Sequence, residues 1–260
     1  MPDQPWLSIV TVVKDAPAEL ARTLDSLAAQ DLADVEYLVI DSSTEPAQVP
    51  EQLAAAGVRA SCSWTEPAGI YPAMNEGLQR ARGELIYFLN AGDELRPEVL
   101  GQVHALAKST AARWLIGKVE VLDQSGSAVI TPAWDFAAEQ RALFARGKFA
   151  PHQGTFAHVS DLRAIGGFDT SYQIAADYAA FLSLTQLGEP LMLDLVIARF
   201  HEGGLSTQRW QESFREFHRA RTSILRPQGL DALKERLYGA RQLIAVGLYR
   251  GLWSKVARRG

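Results

Sequence analysis

The chain has 260 residues, of which 47% are hydrophobic and 22% charged, and its formal net charge is −4. This length suffices to bury a core without covalent support, and the composition excludes wholesale disorder, a collagen-like repeat and a disulfide scaffold. A single cysteine, Cys62, can form neither an internal disulfide nor a thiolate metal cage, which favours a reducing, cytoplasmic location.

Strands and helices are predicted to alternate through the first third of the chain. The β-branched run 7–13 predicts a strand covered on both faces, and leucines at helical spacing after Pro17 predict a helix that ends before Asp31. Further strands are predicted at 35–40, 58–64 and 85–89, and further helices at 50–56 and 70–82. This order predicts an α/β fold with a mostly parallel central sheet flanked by helices, in which ligands bind beyond the carboxyl ends of the strands. Asp41 and Asp93 both lie at such ends.

The second half of the chain is less regular. A hairpin is predicted from strands 114–121 and 128–130, then a short strand at 154–158 and a short helix capped by Ser160. A helix at 175–187 and a strand at 191–200 follow, and the strand leads into His201. From residue 207 onward the pattern is helical, with an interruption near 227–229.

The turn after the first strand, residues 13–17, lacks the G-x-G-x-x-G pattern of dinucleotide-binding folds, and the sequence contains no P-loop. A nucleotide bound here would therefore need a cation to neutralise its phosphates. The tetrapeptide Asn90-Ala91-Gly92-Asp93 follows a predicted strand, and Asp93 offers the hard anionic oxygen that such a cation prefers. Taken alone, the tetrapeptide also fits an ordinary turn.

Seven stretches follow one another between residues 7 and 206: LSIVTVVKD, TLDSLAAQ, VEYLVIDSST, EPAGIYPAMNEGLQRARGELIYFLNAGDEL, HQGTF, GGFDTSYQIAADYAAFLSL and HEGGLS. In this order they resemble the inverting, metal-dependent glycosyltransferases of the GT-A fold in the large bacterial family 2, which builds exopolysaccharide and lipopolysaccharide. The resemblance implies a nucleotide-sugar donor, with a UDP-sugar favoured, a glycan or lipid-linked acceptor, and a divalent cation, Mn²⁺ or Mg²⁺.

Three carboxylates take their roles from this resemblance. Asp41 would contact the nucleotide base or ribose, and Asp93 would bind the cation. Asp177 would be the catalytic base at the start of a helix. The chemistry agrees with these roles, because an inverting transfer needs one carboxylate to take the proton of the acceptor hydroxyl as it attacks the anomeric carbon.

Four further residues are expected at the donor site: Thr11, Glu66, Asn75 and Asn90. Two adjacent residues are expected on the acceptor side: His152 and Gln153. For Glu66 and Asn75 a turn or capping role is the alternative. For the His152-Gln153 pair the alternative is a structural polar pair.

The chain departs from the family pattern at three places. Its metal motif has one carboxylate, Asp93, where many relatives have two or three, so His201 is a candidate second ligand, against the alternative of a structural histidine. The usual glutamate before the base is Ala176, which leaves the acceptor class open. The usual aspartate after Ile-Tyr is Pro72, so the sugar specificity of relatives does not transfer.

The charge is divided unevenly along the chain. Residues 1–204 carry 14 Lys and Arg against 26 Asp and Glu, whereas residues 205–260 carry 12 against 4. We therefore predict a glycosyltransferase domain at 1–205 and a helical basic tail at 206–260. The acidic body disfavours nucleic-acid binding. The tail has Tyr249 and Trp253 among its aromatic residues, which suits contact with the inner face of the cell membrane. The alternative is that it packs on protein, either on the body or on a second subunit in a homodimer. Both interpretations stay open.

Two rival functions remain at this stage. A nucleotidyltransferase of related fold would also bind a nucleotide and a metal, although it usually carries an early glycine-rich signature with Arg and Lys, and only Lys14 is basic before Asp15. A non-catalytic nucleotide-sugar-binding scaffold would explain the reduced acidic motif. No stretch reaches the ~18 apolar residues that a membrane span needs.

Overall fold

The computed structural model describes residues 4–46, 48–123, 125–131, 151–201 and 209–256, with the backbone alone at 210, 243 and 245–256. In the first half the elements are β1 (Leu7–Val13), α1 (Pro17–Ala28), β2 (Val35–Asp41), α2 (Gln48–Ala56), β3 (Ser61–Trp64), α3 (Ile70–Arg80), β4 (Leu85–Phe88), β5 (Glu94–Leu95) and α4 (Val99–Lys108). They continue with β6 (Trp114–Leu122), β7 (Ala128–Thr131), a 3₁₀ turn (His152–Gly154), β8 (Thr155–His158), α5 (Val159–Ala164), α6 (Ala176–Leu184), β9 (Leu191–His201), α7 (Trp210–Leu225) and α8 (Gly229–Val256).

The first four strands form the parallel part of the sheet, as predicted. They lie in the order β3-β2-β1-β4, and the register places Val13 beside Asp41 at the carboxyl ends of β1 and β2. All seven side chains of β1 are buried. Alternate residues therefore face opposite cores: Val10 packs towards α3, whereas Ile9 packs towards α1 and α2.

The second half of the sheet is mixed. The order continues from β4 through β8, β6 and β9 to β5, with β8 antiparallel to both β4 and β6, and β9 parallel to β6. The predicted hairpin is confirmed, because β7 pairs antiparallel with β6. Strand β5 pairs Glu94 with Arg199 of β9. This pairing carries the end of β9, and His201 with it, towards the loop that holds Asp93.

Three sequence-based expectations need correction. Sequence analysis predicts neither β5 nor α4, and a strand of two residues is too short to show any apolar alternation. Ser160 is not a helix cap, since α5 begins at Val159 and its N-cap position is His158. Helix α6 is shorter than predicted and ends at Leu184.

Helix α7 packs against the body, and α8 packs on α7. Ala220 of α7 is fully buried in the same core as α6, and Phe217 packs edge-on against Tyr178 with ring centroids 4.9 Å apart. Arg221, also fully buried, donates to Glu235 of α8 at 2.6 Å. Within the described residues, no helix is both long enough and apolar enough to cross a membrane. The division at residue 205 stays a prediction.

Candidate functional site

The carboxyl ends of β2 and β4, the 3₁₀ turn and the start of α6 place four of the predicted residues at one edge of the sheet: Asp41, Asp93, His152 and Asp177. All three carboxylates are buried. A buried carboxylate is costly unless a ligand or hydrogen-bond donors compensate it, so each one needs its partners identified.

Asp41 has one occupied and one open oxygen. Its Oδ1 accepts the backbone N–H of Ser43 at 2.8 Å, whereas its Oδ2 is buried and has no hydrogen-bond partner among the described residues. Beside the ends of β1 and β2 lies a cleft of about 270 Å³ lined by Asp15, Ser43 and Thr44 among others. On the other side, Trp64 pairs with Asp41 in the sheet register and is 54% exposed. An open acceptor beside an exposed aromatic ring suits a flat ligand with N–H or O–H donors.

Asp93 also keeps an open oxygen. Burial raises the pKa of its carboxyl group to about 6, against the opposing charge of His152. Its Oδ1 lies 3.5 Å from Gln153 Nε2, and its Oδ2 has no hydrogen-bond partner within the described part of the chain. The neighbouring Asn90 likewise has a buried, unpartnered Oδ1. These two oxygens are the atoms available to a cation or a ligand.

The loop that holds Asp93 is fixed by Thr23 of α1, which sequence analysis missed. The Thr23 hydroxyl donates to the Asp93 carbonyl oxygen at 2.8 Å and accepts the Gly92 N–H at 2.9 Å. Gly92 has a φ of 103°, a conformation that residues with a Cβ rarely adopt. The combination of glycine and a threonine hydroxyl therefore makes this tight turn possible.

The His152 ring lies between the carboxylates of Asp93 and Asp177. Its Nδ1 is 3.3 Å from Asp177 Oδ2, and its Nε2 is 3.0 Å from Asn90 Nδ2 and 4.0 Å from Asp93 Oδ2. Because the Asn90 amide donates, Nε2 accepts and Nδ1 donates to Asp177 in the neutral ring. Burial disfavours the charged ring, but the hydrogen bond and charge of Asp177, together with the charge of Asp93, raise the pKa of His152.

Asp177 lies in the first turn of α6, where its Oδ1 accepts the Tyr178 N–H at 2.8 Å. The hydroxyl of Tyr71, from the first turn of α3, lies 3.3 Å from the same oxygen and donates to the Ile174 carbonyl at 2.5 Å. Tyr71 was not singled out from the sequence, although it belongs to the GIYPAMN stretch. A carboxylate held by several donors at fixed positions is preoriented for proton transfer.

Two predicted donor residues have structural roles. The Thr11 hydroxyl is fully buried, donating to the Leu89 carbonyl at 2.6 Å and accepting from Tyr37 at 3.0 Å. The Asn75 side chain donates to the Phe168 carbonyl at 2.7 Å and accepts the Phe168 N–H at 2.8 Å. Since their hydrogen-bonding groups are used within the fold, we assign both residues to structure rather than to the donor site.

Of the remaining predicted residues, Gln153 is buried within the site, whereas Glu66 and His201 are exposed. Gln153 is 4% exposed and its side chain points to Asp93 instead of an open acceptor cleft. Glu66 is exposed in the loop after β3. The Nε2 of His201 lies 2.7 Å from Glu94 Oε1, so Glu94 is its partner in this structure. The residues that follow His201, 202–208, lie outside the described part of the chain.

No group of three or more His, Cys, Asp or Glu side chains converges on one point among the residues that the structure describes. A preformed protein cage is therefore absent from this part of the chain. Mg²⁺ is commonly held by one or two carboxylates, with substrate phosphates and water as the other ligands. The open oxygens of Asp93 and Asn90 fit that second type of site.

Several known proteins are similar to this chain in sequence. The family described as Glycosyl transferase family 2 matches residues 8–156. An uncharacterized glycosyltransferase of Mycobacterium tuberculosis, Rv1514c, is 27% identical over 227 residues, which is 80% of either chain. The PGL/p-HBAD biosynthesis glycosyltransferase Rv2957 of the same organism is 29% identical over 215 residues, covering 78% of this chain and 79% of that protein.

Solved structures share the fold at lower identity. Staphylococcus aureus TarS 1–349 in complex with UDP matches 92% of this chain and 70% of its own with a TM-score of 0.66 and 17% identity. The mannosyltransferase PcManGT of Pyrobaculum calidifontis, in complex with GDP-Man and Mn²⁺, matches 99% of this chain and 81% of its own at 0.63 and 15%. In another TarS 1–349 crystal structure, the chain spans 64% of the length. The likeness confirms the predicted GT-A architecture.

Proposed function

The chain belongs to glycosyl transferase family 2, and from that membership we propose that it transfers a sugar from a nucleotide-diphospho-sugar to a hydroxyl group of a glycan or lipid-linked acceptor, with inversion. The observation that carries the proposal is the meeting of two buried carboxylates, Asp93 and Asp177, at the ring of His152. One carboxylate has an open oxygen for the donor's diphosphate and cation, and the other is held by hydrogen bonds beside it.

Donor binding would begin at Asp41. Its open Oδ2 would accept a base N–H or a ribose hydroxyl, with Trp64 beside it as an aromatic surface and Glu66 as a further contact. TarS forms complexes with UDP and UDP-GlcNAc, and PcManGT with GDP-Man, so these two fold neighbours bind nucleotides or nucleotide-sugars. We favour a UDP-sugar as the donor.

Asp93 and Asn90 would hold a divalent cation, Mn²⁺ or Mg²⁺, which would neutralise charge on the departing diphosphate. The complex of PcManGT with GDP-Man and Mn²⁺ supports this cofactor class. His201 would join as a second protein ligand only if its ring left Glu94, since Nε2 now lies against that carboxylate.

Asp177 would act as the base. As the acceptor oxygen attacks the anomeric carbon, its proton passes to the Asp177 carboxylate, and the bond between that carbon and the diphosphate oxygen breaks with its electrons on the leaving group. Attack opposite the leaving group inverts the configuration. The His152 ring and the Tyr178 N–H orient the carboxylate through its two oxygens.

The donor-binding step can be tested at Asp41. In Asp41→Asn the carbonyl oxygen can keep the Ser43 hydrogen bond, but an amide N–H replaces the open acceptor and meets the ligand's donor. We expect UDP affinity to fall about tenfold or more, because a buried donor is left unpaired. A thermal-shift titration with UDP and Mn²⁺ measures this, since a ligand of the folded state raises Tm.

Asp31→Asn is the matched control. Asp31 is exposed in the loop that follows α1, before β2 begins, and this variant should bind UDP as the wild-type protein does. Wild-type UDP affinity in folded Asp41→Asn would remove Asp41 from the donor site.

Product analysis separates the rival functions. Release of nucleoside diphosphate from a nucleotide-sugar indicates glycosyl transfer or hydrolysis, release of pyrophosphate indicates nucleotidyl transfer, and binding without turnover indicates a scaffold.

The exposed face of α8 supports a contact with an anionic lipid surface. Four large aliphatic side chains form an apolar stripe: Leu230, Leu233, Leu237 and Ile244, between 53% and 75% exposed. At 100° per residue they lie within about 60° of one another. Exposed Lys234 and Arg241 border the stripe on one side and Arg236 on the other. An apolar stripe bordered by cations is typical of helices that lie in a membrane interface.

The opposite face of α8 packs on α7, where the His218 ring lies beside Gly239 and 3.1 Å from Glu235. The apolar stripe therefore points away from the body, which disfavours packing on the same chain. A homodimer through the stripe is the remaining alternative for the described residues. The side chains of Tyr249 and Trp253 lie outside those that the structure describes.

The double substitution Leu233→Ser and Leu237→Ser tests the stripe. Full-length wild-type protein should sediment with phosphatidylglycerol vesicles, more weakly with neutral phosphatidylcholine vesicles and more weakly at high salt. The double variant should bind at least about tenfold more weakly, since burying one leucine contributes about 1.5–3 kcal/mol.

Leu187→Ser, which removes an exposed leucine from the body, is the control and should leave binding unchanged. Equal sedimentation of the wild-type and double-variant proteins would overturn lipid binding. A wild-type dimer that the double substitution converts to a monomer, with no vesicle binding, would assign the stripe to a second copy.

A further inference from the structure

The segment that leads into α6 is held by a side chain of α7. Glu216 Oε1 accepts the N–H of Gln173 at 2.9 Å, and its Oε2 accepts the N–H groups of Ile174 and Ala175 at 2.8 and 2.9 Å. Three consecutive backbone donors thus converge on one carboxylate. Asp177 follows only two residues after the last of them.

Two of these donors, the N–H groups of Ile174 and Ala175, need a protein acceptor. The N-cap position of α6 is Ala175, which has no side chain that could cap the helix. Ile174 and Ala175 are buried, so water does not readily replace a lost acceptor. From the other side, the Tyr71 hydroxyl donates to the Ile174 carbonyl at 2.5 Å. Glu216 and Tyr71 therefore fix both polar groups of the same peptide segment.

Two arginines hold the same segment at its outer part, Arg219 within α7 and Arg209 at the N-cap position before it. Arg219 stacks over the Tyr172 ring at 3.8 Å and donates to the Ser171 carbonyl at 2.8 Å. Arg209 donates to the Gln173 side-chain oxygen at 3.0 Å. Helix α7 is itself anchored in the core by Ala220, so it can serve as a rigid support.

We propose that Glu216 is a positioning residue for Asp177, holding residues 173–175 so that the Asp177 carboxylate faces His152 and the attacking hydroxyl. The inference rests on the proposed function, in which Asp177 is the base. Glu216 itself touches neither substrate nor reacting atoms. It supplies from a distant helix an acidic acceptor for the turn, where the residue directly before Asp177 is an alanine.

Glu216→Ala is expected to lower kcat about tenfold or more, since small displacements of a catalytic group have effects of this size, while KM for the donor stays unchanged. Glu216→Gln should recover part of the loss, because its amide oxygen can still accept from Ile174 and Ala175. Hydrogen exchange followed by mass spectrometry should show faster exchange of the 173–175 amides in Glu216→Ala.

Asp231→Ala is the control. Asp231 lies exposed in the first turn of α8, pairs with Lys234 and does not contact the 173–175 segment, so its loss should leave kcat and the exchange of these amides unchanged. Wild-type kcat in Glu216→Ala, or equal losses in kcat, donor affinity and thermal stability, would overturn the inference. If Asp177→Asn retains full activity, the assignment of the base fails. If Asp177→Asn is inactive and Glu216→Ala has wild-type kcat, only the positioning role fails.

Discussion

Asp177→Asn is expected to reduce sugar transfer by roughly 10²-fold or more while donor binding persists. The amide keeps the size of the carboxylate, and its oxygen can still accept the Tyr178 N–H. What it loses is the ability to take a proton from the acceptor hydroxyl, together with the Oδ2 acceptor that faces His152 Nδ1. The kcat for transfer and the affinity for UDP, measured on the same preparation, separate the two effects.

Exposed Asp169, which caps its own turn by accepting the Ser171 N–H at 2.9 Å, provides a control for this substitution. Asp169→Asn should transfer sugar as wild type does. Wild-type turnover in Asp177→Asn would exclude the residue from the mechanism. A product that retains the anomeric configuration of the donor would contradict inversion, whichever residue is the base.

Asp93→Ala should abolish cation-dependent donor binding and transfer. Asp93 is the carboxylate proposed to bind the cation, and its Oδ2 has no hydrogen-bond partner among the described residues. The fold should survive, because the loop is fixed through the Asp93 backbone carbonyl and Thr23 rather than through the carboxyl group. Removing an unpaired buried oxygen even relieves a desolvation cost. Calorimetric titration with UDP, with and without Mn²⁺, measures the loss.

Glu51→Gln, on the exposed face of α2, controls for the change in net charge. Mn²⁺-dependent donor binding by folded Asp93→Ala would disprove the site. His201→Ala extends the experiment. If His201 becomes a ligand, apparent Mn²⁺ affinity should fall about tenfold or more. Unchanged affinity would leave His201 as the partner of Glu94.

The sequence predicted best what depends on local pattern. Buried strands such as β1 and β2 are recognisable from their largely apolar runs. The rule that ligands bind beyond the carboxyl ends of parallel strands correctly predicted that Asp41 and Asp93 lie at the same edge of the sheet. The structural roles of Thr11 and Asn75 depend on long-range hydrogen bonds. Their partners, Leu89 and Phe168, lie 78 and 93 residues away, where no local pattern points to them.

Glu216 illustrates the same limit from the other side. It is 41 residues from Ala175, on a helix whose sequence indicates only an amphipathic, charged surface. Only the packing of α7 against α6 reveals that its carboxylate completes the turn before Asp177. The resemblance identified only those acidic residues that match a motif. Because Ala176 replaces the usual glutamate, the motif did not indicate that an acidic acceptor, Glu216, contacts this turn from another helix.

The ion pair between Arg221 and Glu235 has a consequence for how the chain folds. Arg221 is fully buried, and two of its nitrogens have no partner among the described residues. Glu235→Ala would leave that guanidinium without its acceptor and with the Tyr238 ring still over it, and removing one partner of a buried ion pair costs about 3–5 kcal/mol. This cost is comparable with the whole free energy of unfolding of a marginally stable domain. We therefore expect α7 and α8 to unfold as one cooperative unit, with α8 not fraying independently.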